Sequence, residues 1–412
     1  MTADAHTPVA VAHADLIERV VTAIDARLPQ LTDLRRDLHA HPELSWDEHR
    51  SSGAVATLLT EAGMTVQPLP GTGLMVDIGA PEPAHRVALR ADLDALPVRE
   101  RTGLDWQSTV PGVCHACGHD LHTAAVAGAG LGLLAVADEL AAAGRTVRLI
   151  FQPAEEVIPG GALEVIGGAA LQGVDAAYAV HCDPSVDVGK VGLREGPLTA
   201  ASDKVTVALT GRGGHTSRPQ LTEDLTFALA KVLTEVPAAL SRRLDPRAGA
   251  SLVWGRISAG KAANVIPSSG EVTGTLRVLD ASVWRGIAPL LEQVVQAVVA
   301  PYGVTARLEH VRGVPPVVNH GRCVDVMRSA TLAAGAQVVP TPQSMGGEDF
   351  AWYLHHVPGA MARLGTRTPG GRSYDLHQGD LVVDERSLGV AARVLALAAV
   401  LDGATDPGDA PG

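Results

Sequence analysis

Cysteine is scarce in this 412-residue chain: there are 4, at positions 114, 117, 182 and 323. So few in so long a chain exclude the disulfide framework on which small secreted domains rely. Charge is sparse as well. Charged residues make up 19%, the net charge is -12, and Lys and Arg form no cluster. A chain that binds nucleic acid must neutralise phosphates with gathered basic side chains, so this balance argues against such a partner. Long apolar runs are also missing. The most apolar segments, 123–137 and 388–401, fall short of the roughly 20 residues a bilayer crossing needs and read as buried helices, which argues against a membrane partner. The opening MTADAHTPVAVAHADLIERV lacks the basic start and unbroken apolar stretch of a signal peptide, which points to the cytoplasm.

What is present is apolar content, 46% of residues. That suffices for a large core, and the length predicts two or three domains rather than one. Helical periodicity marks three pieces near 15–28, 30–39 and 47–62. Strands are predicted at 74–78, 87–89, 147–151 and 176–180, with an Ala/Gly-rich helix between them. Strands alternating with helices predict an α/β sheet covered on both faces. Asp92, Glu155, Glu156 and His181 then fall just past strand ends, where open α/β sheets build their sites. From about residue 200 the texture changes. A strand (204–209), the turn GRGGH, a helix (221–236), two strands (251–257 and 270–279) and a helix (283–299) give roughly a β-α-β-β-α-β unit. Residues 200–311 are therefore expected to form a smaller α+β domain inserted into a catalytic domain of 13–199 plus 312–403. A Gly-rich loop SMGGEDF, a strand near 361–365 and a closing helix from 385 complete the latter, and 1–12 and 404–412 are expected to be loose tails.

Residues 114–122, CHACGHDLH, concentrate two cysteines, three histidines and an aspartate. Three readings compete. A structural zinc site needs four closed ligands, yet the chain has no second CxxC. A redox CxxC has no use for neighbouring histidines or for a carboxylate pair at the next strand end. A catalytic metal site uses every part. Cys117 and His119 can supply a thiolate and an imidazole from one tight turn, with Gly118 allowing the close fold between them. Of the adjacent Glu155 and Glu156, one can bind metal while the other acts as general base. His181 and His377 would complete the set, which makes two metal ions plausible.

LRADLDALP, CHACGHDLH, FQPAEE, AVH at His181, GRGGHTSRP at His215, NVIP at Asn264 and LH at His377 occur in this order. The chain thereby resembles the bimetallic amidohydrolases that cleave N-acyl amino acids, the family of auxin-conjugate hydrolases, hippurate hydrolase and bacterial aminoacylases. The resemblance runs from RRDLHAHPELSWDE to the last helix. It implies a mixed-sheet, metallopeptidase-like α/β catalytic domain with an inserted ferredoxin-like domain that serves as lid and homodimer surface. It further implies two divalent metal ions, zinc or manganese, on Cys117, His119, Glu156, His181 and His377, with Glu155 as general base and Asp92 in a supporting role behind the ligands. His215, from the partner subunit, would stabilise the oxyanion, and Asn264 and Arg277 would hold the α-carboxylate of an N-acyl-L-amino acid. The planar fork of Arg suits that last task.

Two residues depart from the family pattern. Cys114 stands where Met is common, and a thiol three positions from a ligand thiolate could form a disulfide and empty the site. Gln220 stands where many relatives carry His. Two other functions compete: a dipeptidase or carboxypeptidase on the same metal centre, and a metal or redox sensor without catalysis. The Glu155–Glu156 pair and His215 argue against the sensor, which needs neither a base nor an oxyanion partner. Aromatic content of 3% does little to favour an aromatic acyl group.

Overall fold

The computed structural model describes residues 7–403; residues 1–6 and 404–412, most of the two expected tails, lie outside them. In chain order α1 (Thr7–Ala40) and α2 (His49–Glu61) precede β1 (Leu74–Gly79) and β2 (His85–Asp92). Helix α3 (His119–Leu134) leads to β3 (Arg145–Gln152), β4 (Ala176–Asp187) and β5 (Lys190–Leu193). Then come β6 (Ala201–Thr210), α4 (Leu225–Arg243), β7 (Ser251–Ala259), β8 (Ser269–Val278), α5 (Ala281–Val299) and β9 (Thr305–Val314). The chain ends with α6 (Gly321–Ala333), β10 (Gln337–Pro340), β11 (Gly359–Arg367) and α7 (Arg386–Leu401).

These elements form two compact units. Among the described residues the first comprises 7–196, 319–342 and 352–403, and the second 197–318 and 343–351. In the first, eight strands form one mixed sheet. Its order is Gln67–Pro68, β1, β3, β2, β4, β11, β5, β10. Strands β3, β2, β4 and β11 run parallel, β1 is antiparallel to β3, and β5 is antiparallel to β11. Against this sheet packs α3, in which every residue from His119 to Leu133 is buried. Beyond its polar first turns, whose side chains find partners, such a buried helix is apolar all round and built from small residues where neighbours come close. At Gly130 a Cβ would lie 2.4 Å from Leu149 Cδ1, so HTAAVAGAGLGLL keeps its glycine there. The apolar stretch 388–401 is buried likewise, inside α7. Among the described residues no helix is long and apolar enough to cross a membrane.

Two expectations change. The helices predicted at 15–28 and 30–39 are one helix, because Pro29 lies inside α1 without ending it. His181 lies inside β4 rather than past its end, because β4 keeps pairing with β11 beyond it, out to the bond partner of Arg367 at Asp187.

The second unit has a four-stranded antiparallel sheet in the order β7-β8-β6-β9, with α4 and α5 packed on it. With chain order β-α-β-β-α-β this is a ferredoxin-like arrangement. Asp203, buried at the start of β6, ties it together. Its carboxylate accepts bonds from Trp284 Nε1 on α5, from His310 Nε2 on β9 and from the Gly313 amide. A two-stranded ladder, Gly214–His215 with Val265–Ile266, completes the unit.

Candidate metal centre

The turn before α3 is shaped by one glycine. Gly118 has φ 83°, in the left-handed region, and a Cβ there would lie 2.6 Å from Cys182 Sγ. No other residue fits both the torsion and the space. That turn brings Cys117 and His119, both buried, beside His181 on β4 and Asp92 at the end of β2.

Each imidazole is oriented by a backbone carbonyl. His119 Nδ1 donates to Asp94 O at 2.9 Å, and His181 Nδ1 donates to Cys182 O at 2.8 Å. Both rings are thereby fixed with the Nε2 lone pair free to bind a cation. His181 Nε2 lies 3.5 Å from Cys117 Sγ. Burial, with the Arg363 charge next, holds His181 well below its ordinary pKa and so neutral, as a ligand must be. Burial pushes the Cys117 thiol well above its ordinary value, a direction that a metal cation reverses by binding the thiolate.

The carboxylates arrive on the loop after β3. His119 Nε2 is 4.0 Å from Glu155 Oε2 and 3.8 Å from Glu156 Oε1, and His377 Nε2 is 3.4 Å from Glu156 Oε1. His377 stands at φ 61° with its amide bonded to Ala116 O at 2.8 Å, which ties its loop to the cysteine turn. Possible ligand atoms within 4.8 Å of one another group as Cys117, His119 and His181, as Cys117, Glu156 and His377, and as His119, Glu155 and Glu156.

This donor set fits a metal. His119 Nε2 and Glu156 Oε1 are buried and have no hydrogen-bond partner. Orphaned buried polar atoms are costly, and two of them facing each other across 3.8 Å are what a bound cation satisfies.

Asp92 sits behind these groups. Its Oδ1 accepts from His122 Nδ1 at 2.7 Å, its Oδ2 from Arg90 Nη1 at 2.6 Å, and Oδ2 lies 3.8 Å from His119 Nε2. Burial alone would raise its pKa, but His119, His122 and Arg90 hold the carboxyl well below the usual range. Although Asp92, His119 and His122 also group closely, both His122 nitrogens are engaged, since Nε2 accepts the Cys182 amide at 2.9 Å. His122 therefore orients the Cys182 peptide, and through it His181. Neither His122 nor Asp94 stands among the residues expected from the sequence, although both lie inside its motifs. Nothing in a motif reveals which of its polar residues faces backbone.

Cys114 is a free, buried thiol, as is Cys117, and burial pushes Cys114 up to about 12. Disulfide exchange needs a thiolate, so this environment disfavours the pairing that the spacing allows.

In the second unit His215 and Asn264 are brought together. His215 pairs with Val265 across the short ladder, and the Thr216 amide donates to Asn264 O at 3.2 Å. Both residues are exposed. His215 Nδ1 accepts the Ser217 amide at 3.1 Å, which leaves the proton on Nε2. Arg277 is not beside them. It lies eight residues beyond Ser269 on β8, which runs in unbroken register with β6, so the two ends are ~26 Å apart at about 3.3 Å per residue. Its guanidinium donates to the Met345 carbonyl.

The sequence profile of the peptidase family M20/M25/M40 matches residues 88–400. The chain belongs to this family. A Bacillus subtilis structure described as a dinuclear metal-binding peptidase of the M20 family superposes with a TM-score of 0.80 at 34% identity, covering 92% of this chain and 99% of that one. N-acetylcysteine deacetylase of Bacillus subtilis (strain 168) is 35% identical over 374 residues, 90% of this chain and 96% of its own length. A Rhodococcus jostii (strain RHA1) protein named as a glutamate–cysteine ligase is 46% identical over 385 residues, 93% of this chain. The chain spans only 48% of that protein, about half its length, so its name carries no assignment here.

Proposed function

We propose that this metal-dependent amidohydrolase cleaves the amide bond of N-acyl-L-amino acids, releasing a carboxylic acid and a free amino acid. The carrying observation is the overlap of two ligand groups at Cys117, one with His119 and His181 and one with Glu156 and His377. Cys117, His119, His181, Glu156 and His377 would together hold two divalent ions. A thiolate favours zinc, and the carboxylate and imidazoles also admit manganese. Once bound, such ions would supply Lewis-acid chemistry to the scissile carbonyl and the attacking water.

The chain's own residues supply the rest. Glu155 takes the proton from the attacking water and passes it to the leaving nitrogen, while Glu156 and the imidazoles hold the centre and Asp92 steadies them. His215 offers its Nε2–H to the developing oxyanion. Asn264 and Arg277 bind the α-carboxylate, Arg277 through the donors not given to Met345. Because Arg277 lies ~26 Å along β8 from Ser269, the end of the strand at which the chain arrives from Asn264, a small substrate that meets all three residues is better served by two copies than by one. A homodimer supplies them, with each substrate shared between two copies. The free edge of β7 supports this: it pairs on one side only and exposes Val253 (64%) and Ile257 (55%), a surface on which another chain can add.

A second reading, hydrolysis of a dipeptide or of a C-terminal peptide bond, is favoured by the peptidase description of the Bacillus subtilis structure. Amino-acid release from N-acetyl-, N-benzoyl- and long-chain N-acyl-L-amino acids beside matched dipeptides decides between them. The protein is stripped and reloaded with zinc or manganese, and Glu155→Gln serves as the blank. Turnover of N-acyl substrates alone is expected; turnover of dipeptides alone reassigns the enzyme to peptidase, and silence in every metal form rejects both.

A further inference from the structure

The residue immediately before Glu155 is held in a conformation it does not favour. Ala154 has φ 54°, left-handed for a residue with a Cβ, and such positions persist only where the surroundings over-determine them. Here both sides of Ala154 are pinned. Its carbonyl accepts the Gly161 amide at 2.8 Å, and its own amide donates to Glu48 Oε1 at 2.8 Å. The other Glu48 oxygen accepts the Thr72 hydroxyl at 2.6 Å. Glu48 is wholly buried at the start of α2, 106 residues away in sequence, in the SWDE segment that the metal chemistry leaves unused.

A buried carboxylate is an expensive way to accept one amide bond. Apolar packing or a neutral acceptor would suffice if the task were only to fill space. What Glu48 adds is a fixed acceptor, steadied by Thr72 from the turn before β1, at the point where the loop turns back on itself after β3. On the far side of Glu155 the Glu156 amide donates to Asp94 Oδ2 at 2.9 Å. Glu155 is therefore suspended between two residues whose amides are each held by a carboxylate.

We infer that Glu48 is a positioning residue for Glu155: by holding the Ala154 amide it sets the left-handed turn that aims the base at the attacking water. The inference rests on the reading of Glu155 as general base. It predicts that an acceptor at position 48 matters more than a charge.

Two substitutions separate these. Glu48→Gln keeps an oxygen for the Ala154 amide, and Glu48→Leu keeps the bulk without it. Glu48→Leu is expected to lower kcat by about tenfold or more, the scale on which an unmet buried donor weighs, with KM and bound metal near wild type. Glu48→Gln is expected to restore most of the rate. Amide exchange at residues 154–156 in the metal-free protein should quicken in Glu48→Leu and stay slow in Glu48→Gln. If Glu48→Leu fails to fold, Thr72→Val, which frees the carboxylate to turn, should give the same pattern more weakly. Wild-type kcat in Glu48→Leu, or in Thr72→Val where Leu does not fold, overturns the inference. So does an equal loss in Glu48→Gln and Glu48→Leu accompanied by loss of metal, which would mark a merely structural residue. A silent Glu155→Gln alongside a fully active Glu48→Leu sinks only the positioning role; an active Glu155→Gln sinks the base and the positioning role together.

Discussion

The turn 117–119 with its carboxylate loop and the ladder carrying His215 and Asn264 are both built from short sequence motifs, yet they are finished to different degrees. In the first, His119 and His181 each give Nδ1 to a backbone carbonyl, and Cys117, His119 and His181 are buried. In the second, backbone bonds hold the ladder, but His215 and Asn264 point their chemistry into open solvent. A buried site must satisfy its polar atoms within the fold, and what it leaves orphaned, His119 Nε2 and Glu156 Oε1, marks the place of a cation. An exposed motif pays no such penalty and can wait for a partner. The contrast separates polar groups that the fold itself surrounds from polar groups that it leaves exposed.

The sharpest way to break that contrast is at Glu155. Glu155→Gln should lower kcat by about 10² to 10⁴-fold, the usual weight of positioned proton transfer, while metal content by elemental analysis stays at the wild-type level. Retained turnover would remove Glu155 from the chemistry, and lost metal would make it a ligand.

His215 tests the other region. His215→Ala should cost about 10²-fold in kcat, the scale of one oxyanion donor. If His215 serves the neighbouring copy, mixing inactive Glu155→Gln with inactive His215→Ala under subunit exchange should regain activity, because each hybrid holds one intact site. Equal inactivity before and after exchange, with hybrids shown to form, would return His215 to its own chain.

Arg277 has a smaller expected effect. Replacing a charged hydrogen bond to the substrate carboxylate costs about 1.5–3 kcal/mol, so Arg277→Ala should raise KM by about tenfold or more with kcat less affected. An N-acyl amino acid amide, which lacks the carboxylate, should be cleaved equally by both forms; if the variant is impaired on it too, Arg277 acts through its bond to Met345 instead.

How much of this was legible in the sequence follows the same division. Cys117, His119, Glu156, His181 and His377, expected as ligands, and Glu155, expected as base, stand out in the sequence because such chemistry draws on few residue types, and the structure places them near one another. The strand and helix periods also place β2, β3, β6 and α5 within a few residues of where they lie. What was hidden is what acts through backbone. Asp94 O and Cys182 O set the two imidazoles, and any residue type has a carbonyl, so no letter betrays them. His122, inside the CHACGHDLH motif, serves a peptide, accepting the Cys182 amide. The resemblance gives Asn264 and Arg277 one shared task, and their letters alone do not show that β8 carries Arg277 away from Asn264. A strand converts thirteen residues into separation, whereas a helix or turn would have folded them together.

The least disruptive test probes how rigid the buried region is. Beneath the cysteine turn, His39 offers Nδ1 to Asp120 at 2.9 Å and Nε2 to Glu100 at 3.1 Å, and Asp120 also accepts Arg35 Nε at 2.8 Å. Burial works against a charge on His39, but Asp120 and then Glu100 outweigh it and raise the imidazole to about 9 from an ordinary 6.5. A group whose pKa is raised by folding stabilises fully below its unfolded value, and that stability is lost as pH rises through the folded value. The His39 contribution should therefore be whole at pH 6 and largely gone above pH 9. The Tm of wild type relative to His39→Gln should narrow by a few degrees across that window, with little change in kcat at pH 7. A gap in Tm that is constant from pH 6 to 9.5 would mean that His39 is held as a neutral ring. The support beneath the metal turn would then rest on the Arg35–Asp120 pair.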